Sequence, residues 1–330
     1  MRTHSRQAIG PLMAFVVAGC SGPQSVLHPA GPEALGLAHL TWFLFGFGAL
    51  VLAFVLAAAA IAVRGPERWR AVVASRCMII GAGVFFPAVS LTGLLGYGLW
   101  LTRASIPDTE GREPLQIEVT GEQWWWRVQY APSTRSPVAS ANEIRVPAGR
   151  PIRFTLQSAD VIHSFWVPNL AGKLDMIPGR ATSLLVRAER TGVFRGQCAE
   201  YCGKAHALMA LTVVVMTPTD FASWLENESR PAMEPDKPES RRGRSLFLEA
   251  GCGGCHTVRG TPAAGTIGPD LTHLGSRHSV GIASAAMNER NIARFMTDGQ
   301  HMKPGNHMPT FRIFAAVELQ AIATYLAGLR

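Results

Sequence analysis

Cys198-Ala-Glu-Tyr-Cys202-Gly-Lys-Ala-His206-Ala-Leu-Met209 sets two thiols, an imidazole and a thioether within one short run. These are the soft and borderline donors that select copper over magnesium, calcium or manganese. A mononuclear blue-copper site takes two His, one Cys and a weak axial Met, so one cysteine here is surplus to it. The surplus disappears if both sulfurs bridge two copper ions. A disulfide or redox pair between Cys198 and Cys202 would explain neither the His nor the Met spacing. The remaining ligand has to come from an earlier strand, and Asp160-Val-Ile-His163-Ser-Phe-Trp-Val-Pro168 offers His163 among extended, apolar residues.

Around these two runs the chain reads as short strands over 116–120, 124–130, 143–146, 152–157, 183–188 and 211–216. They are rich in β-branched and aromatic residues and broken by Gly or Pro. That pattern predicts a β-sandwich or barrel of Greek-key type. A loop between its late strands can carry several ligands at once.

Together with Gly121-Glu-Gln-Trp124-Trp-Trp126, the copper-binding run and the His163 segment resemble subunit II of the heme-copper cytochrome c oxidases. The resemblance implies a cupredoxin fold with a binuclear copper centre, CuA. Its ligands would be His163, Cys198, the backbone carbonyl of Glu200, Cys202, His206 and Met209. It also implies Trp124 as the residue through which electrons come in. The Glu200 carboxylate would help hold a magnesium ion at the border with subunit I. Asp175, in Leu174-Asp-Met-Ile-Pro-Gly179, is a second candidate at that border, and it reads equally well as a turn-capping residue. Alternation sends Trp125 to one face of its strand and its neighbours to the other, which predicts structural roles for Trp125 and Trp126.

Further on, Cys252-Gly-Gly-Cys255-His256 is the attachment signature of a c-type heme, with both cysteines bound to the porphyrin and His256 as axial ligand. A thioredoxin-like pair would lack the following His and would need a βαβ surround. The sixth ligand should be a Met, because Met/His ligation raises the potential into an electron-transfer range. Met287, Met296, Met302 and Met308 compete. Met308 sits before Pro309 in the loop-like Lys303-Pro-Gly-Asn-His-Met-Pro309, which resembles the Met-Pro loop of small cytochromes c and makes it the candidate. Gly268-Pro-Asp-Leu271 resembles the loop that packs on the proximal His. Helices are expected at 243–250, 284–298 and 315–329, giving a small all-α domain.

The first part of the chain predicts a membrane anchor. Arg2 and Arg6 precede a short apolar stretch ending in Val17-Ala18-Gly19-Cys20, which resembles a lipoprotein signal with Cys20 as the lipidated residue. Stretches 37–63 and 77–101 contain no Asp, Glu, Lys or Arg and are long enough to cross ~30 Å of hydrocarbon. The connection 64–76 carries four Arg and one Glu, which places it in the cytoplasm and both chain ends outside. Cys77 is left to packing. Net charge is +8, with Lys and Arg against Asp and Glu at 12 to 10 over 105–217 and 10 to 5 over 241–330. No recognition motif accompanies that basic excess, which argues against nucleic acid as a partner.

The domains expected are thus a signal peptide at 1–20, a transmembrane hairpin at 21–104, the copper domain at 105–217, a linker at 218–240 and a cytochrome c domain at 241–330. The linker is read as polar and semi-extended over 226–240 because of its prolines. The chain as a whole resembles a membrane-anchored oxidase subunit II of the caa3 type. It would take electrons from an upstream cytochrome c or quinol-oxidising complex and deliver them to subunit I, in the bacterial inner membrane with both redox domains on the periplasmic face. The rivals are the electron-input subunit of a copper-containing nitric-oxide reductase and a membrane-anchored copper chaperone. A chaperone would need neither His206 and Met209 nor a heme domain.

Overall fold

The computed structural model describes residues 21–104, 111–130, 138–281, 283 and 285–330. The expected signal peptide and Cys20 lie outside the described residues. Once out of water, an uncharged apolar segment can satisfy its backbone groups only internally, and both such stretches are helical. Helix α1 (Pro32–Arg64) starts on a proline, and α2 (Glu67–Val73) fills the basic connection. Helix α3 (Arg76–Ile80) runs through a π-helical turn (Gly81–Phe85) into α4 (Phe86–Ala104). Spans Pro32–Arg64 and Arg76–Arg103 are long and apolar enough to cross a membrane, and the apolar windows of both are unburied within the chain. Cys77, expected to pack, is exposed, because nothing among the described residues covers that face.

Residues 22–31 lie against the β domain. Ala30 N donates to Asn169 O (2.7 Å), Glu189 N to Ala30 O (2.8 Å) and Asn169 Nδ2 to His28 O (2.8 Å). The first span therefore begins on the same side as that domain, as a two-span hairpin requires.

The β domain has strands β1 (Leu115–Glu122), β2 (Trp125–Tyr130), β3 (Val138–Ala141), β4 (Glu143–Pro147), β5 (Pro151–Ser158), β6 (His163–Trp166), β7 (Leu174–Met176), β8 (Thr182–Arg187), β9 (Gly192–Cys198) and β10 (Ala210–Met216). They form two five-stranded sheets, ordered β3-β2-β1-β5-β8 and β4-β10-β9-β6-β7. Inward residues alternate along β1 and β2, and Trp126, Tyr130, Phe154 and Phe165 fill the space between the sheets. Strands β3, β7 and β9 were not expected. Strand β9 holds two glycines, and a Cβ on Gly196 would meet Trp166 O at 2.8 Å, so that glycine serves close strand packing instead of a turn.

The linker is shorter than the prolines suggested. Helix α5 (Pro218–Glu228) is capped by Thr217, whose Oγ1 accepts from Asp220 N (3.2 Å), and α6 (Pro238–Glu249) also opens on proline. Proline in a first helical turn costs no hydrogen bond, so these two prolines start helices instead of extending the chain. Residues 229–237 remain between them, pinned where Ala232 N donates to Arg259 O (2.9 Å). In the last domain α6 is followed by α7 (Glu289–Met302) and α8 (Ala316–Gly328). Helix α7 starts later than expected because Asn288 caps it, accepting from Asn291 N at 2.8 Å, and it runs on to Met302. Phe247, Met296, Ile322, Tyr325 and Leu326 form this domain's own core. The layout is the expected one: a helical anchor, a β-sandwich and a small helical domain.

Candidate metal centre

Strand β9 ends at Cys198, and the loop to β10 carries the other donors before returning at Ala210, opposite Gln197. Cys198 N donates to Met209 O at 2.9 Å, closing the loop at its base. Strand β6 pairs with β9 at Phe165 and Cys198, which brings His163 alongside. Gly121, across the sandwich, makes room for the imidazole, since a Cβ there would lie 2.8 Å from His163 Cδ2.

The donor atoms converge. Cys198 Sγ and Cys202 Sγ are 3.8 Å apart. His163 Nδ1 is 3.8 Å from Cys198 Sγ, and His206 Nδ1 is 3.6 Å from Cys202 Sγ. Met209 Sδ is 3.7 Å from Cys202 Sγ, and Glu200 O is 3.1 Å from Cys198 Sγ. A disulfide needs ~2.05 Å between sulfurs, so these thiols are not joined. Two thiolates that share one borderline ion at ~2.3 Å each can be at most ~4.6 Å apart, and this pair meets that limit. His163, Cys198, Cys202 and Met209 are all buried. The donor set is the soft and imidazole set that copper favours.

Electrostatics prepare the pair for a cation. The hydrogen bond from the Cys202 thiol pulls Cys198 down, to about 3, with His163 adding to it against burial. The same contact and burial push Cys202 up. Without a metal the pair holds one negative charge, and a bound ion would displace the second proton. Burial pushes His163 down, but its hydrogen bonds to Cys198 and Asp160 more than offset that.

Asp160 escaped the sequence reading. Its Oδ1 lies 2.8 Å from His163 Nε2, the nitrogen facing away from the sulfurs, and accepts from Val161 N at 2.6 Å. Its Oδ2 accepts from Gln123 N at 2.7 Å. A carboxylate on the outer nitrogen fixes the tautomer and aim of a metal-binding histidine. The only signal in the sequence was an Asp three positions before His163.

Trp124 sits in the turn between β1 and β2, 6% exposed, and its Nε1 donates to Cys202 O at 2.9 Å. Gln123 Nε2 donates to the same carbonyl at 2.7 Å. Trp126 is core and Trp125 lies under the Arg127 guanidinium (4.6 Å to the ring centroid), as the alternation predicted.

Asp175 is not in a turn. It lies in β7 opposite Ser164, whose Oγ donates to it at 2.7 Å and holds its carboxyl below the usual range. The Lys173 ammonium stands 3.4 Å from Asp175 Oδ1 and 3.9 Å from Glu200 Oε2. Within this chain the Asp175 and Glu200 carboxylates share a lysine cation.

In the helical domain Cys252 opens a 3-10 turn that Cys255 closes, and the two are not joined in a disulfide. His256 Nδ1 donates to Pro269 O at 2.8 Å, which turns Nε2 into the nitrogen available to a ligand, and burial keeps its imidazole below the usual range and so neutral as a ligand must be. Met296 and Met302 are core residues, whereas Met308 is only half-buried in the 303–309 turn. The Lys303 ammonium is buried with no carboxylate near it among the described residues, and desolvation lowers it to about 8. An unmatched buried cation is what the propionates of a heme would neutralise. The residues present thus fit a covalently bound heme.

Two families match the chain: the cytochrome c oxidase subunit II periplasmic domain over residues 132–216, and cytochrome c over residues 240–330. Cytochrome c oxidase subunit 2 of Alkalihalophilus pseudofirmus is 35% identical over 225 residues, covering 68% of this chain and 64% of that protein. The Bacillus subtilis subunit 2 is 30% identical over 247 residues, covering 71% of this chain and 68% of that protein. Among solved structures, the periplasmic domain of subunit II of cytochrome oxidase of Bradyrhizobium japonicum is 35% identical, covers 37% of this chain and 96% of that chain, and has a TM-score of 0.34.

Proposed function

The chain belongs to the cytochrome c oxidase subunit II family and carries a cytochrome c domain in addition, and from that premise we propose that it is the electron-input subunit of a bacterial respiratory oxidase. In this reading electrons would come from an upstream cytochrome c or quinol-oxidising complex, and the heme-binding and CuA-binding residues of the two domains would hold the centres that relay them to subunit I, where oxygen would be reduced to water. The oxygen-reducing and charge-translocating site is in that other subunit. Both redox domains lie on the periplasmic side of the inner membrane.

The observation that carries the reading is the convergence of His163, Cys198, Cys202, His206, Met209 and the Glu200 carbonyl with the two sulfurs 3.8 Å apart. These residues would hold the copper pair, and Cys252, Cys255, His256 and Met308 would hold the heme. When bound, the two centres supply reversible one-electron storage.

The chain's own residues do the rest by holding geometry. Burial of both thiols, His163 and Met209 keeps water off the site, so the surroundings need little rearrangement when charge changes. Asp160 orients His163. Trp124, bonded to the Cys202 carbonyl, is the residue through which we bring electrons to the copper site. A magnesium ion at the subunit I border would use Glu200 and Asp175, with Lys173 displaced from between them and further ligands from subunit I.

Metal analysis of the purified full-length chain tests this reading. Two copper per covalently bound heme, with a near-infrared band from the copper pair, is expected. One copper per heme, or none, would overturn it.

A further inference from the structure

The turn at 303–307, which leads to Met308, lies directly on Trp124. A Cβ on Gly305 would stand 2.9 Å from Trp124 Cη2 and 3.0 Å from Cζ3, with Lys204 Cδ at 3.5 Å. Carbon atoms rest at ~3.5–4.0 Å from one another, so any side chain at 305 would push the turn and the indole apart. Gly305 also takes φ +83°, in the left-handed region. Gln300 fixes the turn, accepting from Gly305 N (3.0 Å) and donating to Asn306 O (2.6 Å).

The rest of the interface holds this contact in place. His278 donates to Glu143 Oε2 from its backbone N (2.8 Å) and from Nδ1 (2.9 Å). Arg145 Nη2 donates to Ser276 O at 2.7 Å, and Arg127 Nη2 to Thr266 O at 3.0 Å. Glu143 is only 5% exposed, while the His278 side chain that it meets is 47% exposed, so the contact is half-buried. These anchors come from β2 and β4, while the Gly305 contact falls at the β1–β2 turn.

We propose that Gly305 is a positioning residue: the absence of a side chain there lets the heme-domain turn seat on Trp124, and the seated turn is the resident occupant of the surface formed by Gln123, Trp124, Gly203 and Lys204. An external donor protein is thereby kept off Trp124 and must deliver to the heme domain. This rests on the reading of the chain as carrying both centres.

The test is hydroxyl-radical footprinting, read by mass spectrometry, of the full-length chain with copper and heme bound. Tyr201, 76% exposed, reports the radical dose. Trp124 should be protected in the wild type and oxidised severalfold faster in Gly305→Val. Gly299→Ala should leave it protected, since a Cβ at 299 meets only Asn306, at 3.5 Å. If Gly305→Val fails to load heme, the double variant Glu143→Gln with His278→Ala, which loosens the interface away from the turn, should expose Trp124 instead. Trp124 as protected in a heme-loaded Gly305→Val chain as in the wild type, or in the double variant where that one must serve, overturns the inference. Failure of the wild type to bind heme and copper would instead overturn the functional reading beneath it.

Discussion

Replacing Asp160 with Ala removes three hydrogen bonds from one carboxylate, to His163 Nε2, Val161 N and Gln123 N. They are not equal. The Asp160 side chain is 29% exposed, so water can replace the carboxylate at the two amides, whereas His163 is fully buried and loses the one partner its Nε2 has among the described residues. A hydrogen bond to a charged group is worth ~1.5–3 kcal/mol net. Loss of an outer partner of a metal-binding histidine typically weakens binding ~10–100-fold, which is about 1.4–2.8 kcal/mol, so the two routes agree. We expect copper affinity, measured by chelator competition on the purified full-length chain, to fall within that range. Removing an anion beside the site also favours the reduced, less positive copper pair, so its potential should rise. A tenfold shift in relative affinity for the two states corresponds to ~59 mV for one electron. Asp160→Asn keeps an acceptor but loses the charge, so it should raise the potential while weakening copper less. Unchanged affinity and potential in Asp160→Ala would refute the reasoning, because something else would then be orienting His163.

The remaining predictions concern the ligands and the interface. Cys198→Ser or Cys202→Ser should abolish the binuclear centre, and an unaltered mixed-valence signal by electron paramagnetic resonance with the same copper count would contradict this; Met209→Leu should shift the potential with copper retained. Met308→Ala should lose the weak charge-transfer band of Met-ligated ferric heme. Met302→Ala should keep that band and instead destabilise the domain by ~2–5 kcal/mol, since Met302 is a core residue; the reverse pattern would move the ligand to Met302. Burial pushes the Glu143 carboxyl up, but the His278 N–H and the Arg145 charge more than offset it, leaving it below the usual carboxylate range. A depressed carboxylate stabilises the docked state fully above the free value of ~4.3, and that contribution is lost as pH falls through the depressed value. Interdomain protection measured by hydrogen exchange should therefore hold from neutral pH down to about 5 and weaken below ~4 in the wild type, but show no such step in Glu143→Gln.

The candidate donors of both centres were legible because they sit in compact runs. Cys198 to Met209 and Cys252 to His256 carry their own spacing, and His163 stood out as the histidine in an apolar strand. What was not legible depends on contacts between distant positions. Asp160 gains its meaning from the imidazole it faces, and Gly305 from an indole well over a hundred positions earlier. Pro218 and Pro238 fall in the stretch that the sequence marks as linker, since proline ends helices as readily as it starts them; only Thr217 at the cap and the packing of α6 decide which. Asp175 reads in the sequence as a candidate border carboxylate or, equally well, as a turn cap, and β6 recruits it into a strand instead of a turn.

The central claim is that one chain holds a heme domain seated on its own copper domain and feeds it. Flash reduction of the heme in the purified full-length protein, followed by the absorbance of both centres, tests it most directly. The seat lies within one chain, so the two domains stay together without electrostatic steering, and salt, which screens exposed charges over ~8–10 Å, should matter little. The account predicts first-order electron transfer from heme to copper at a rate independent of protein concentration and nearly insensitive to ionic strength. A rate proportional to protein concentration, or one that falls steeply with added salt, would contradict it.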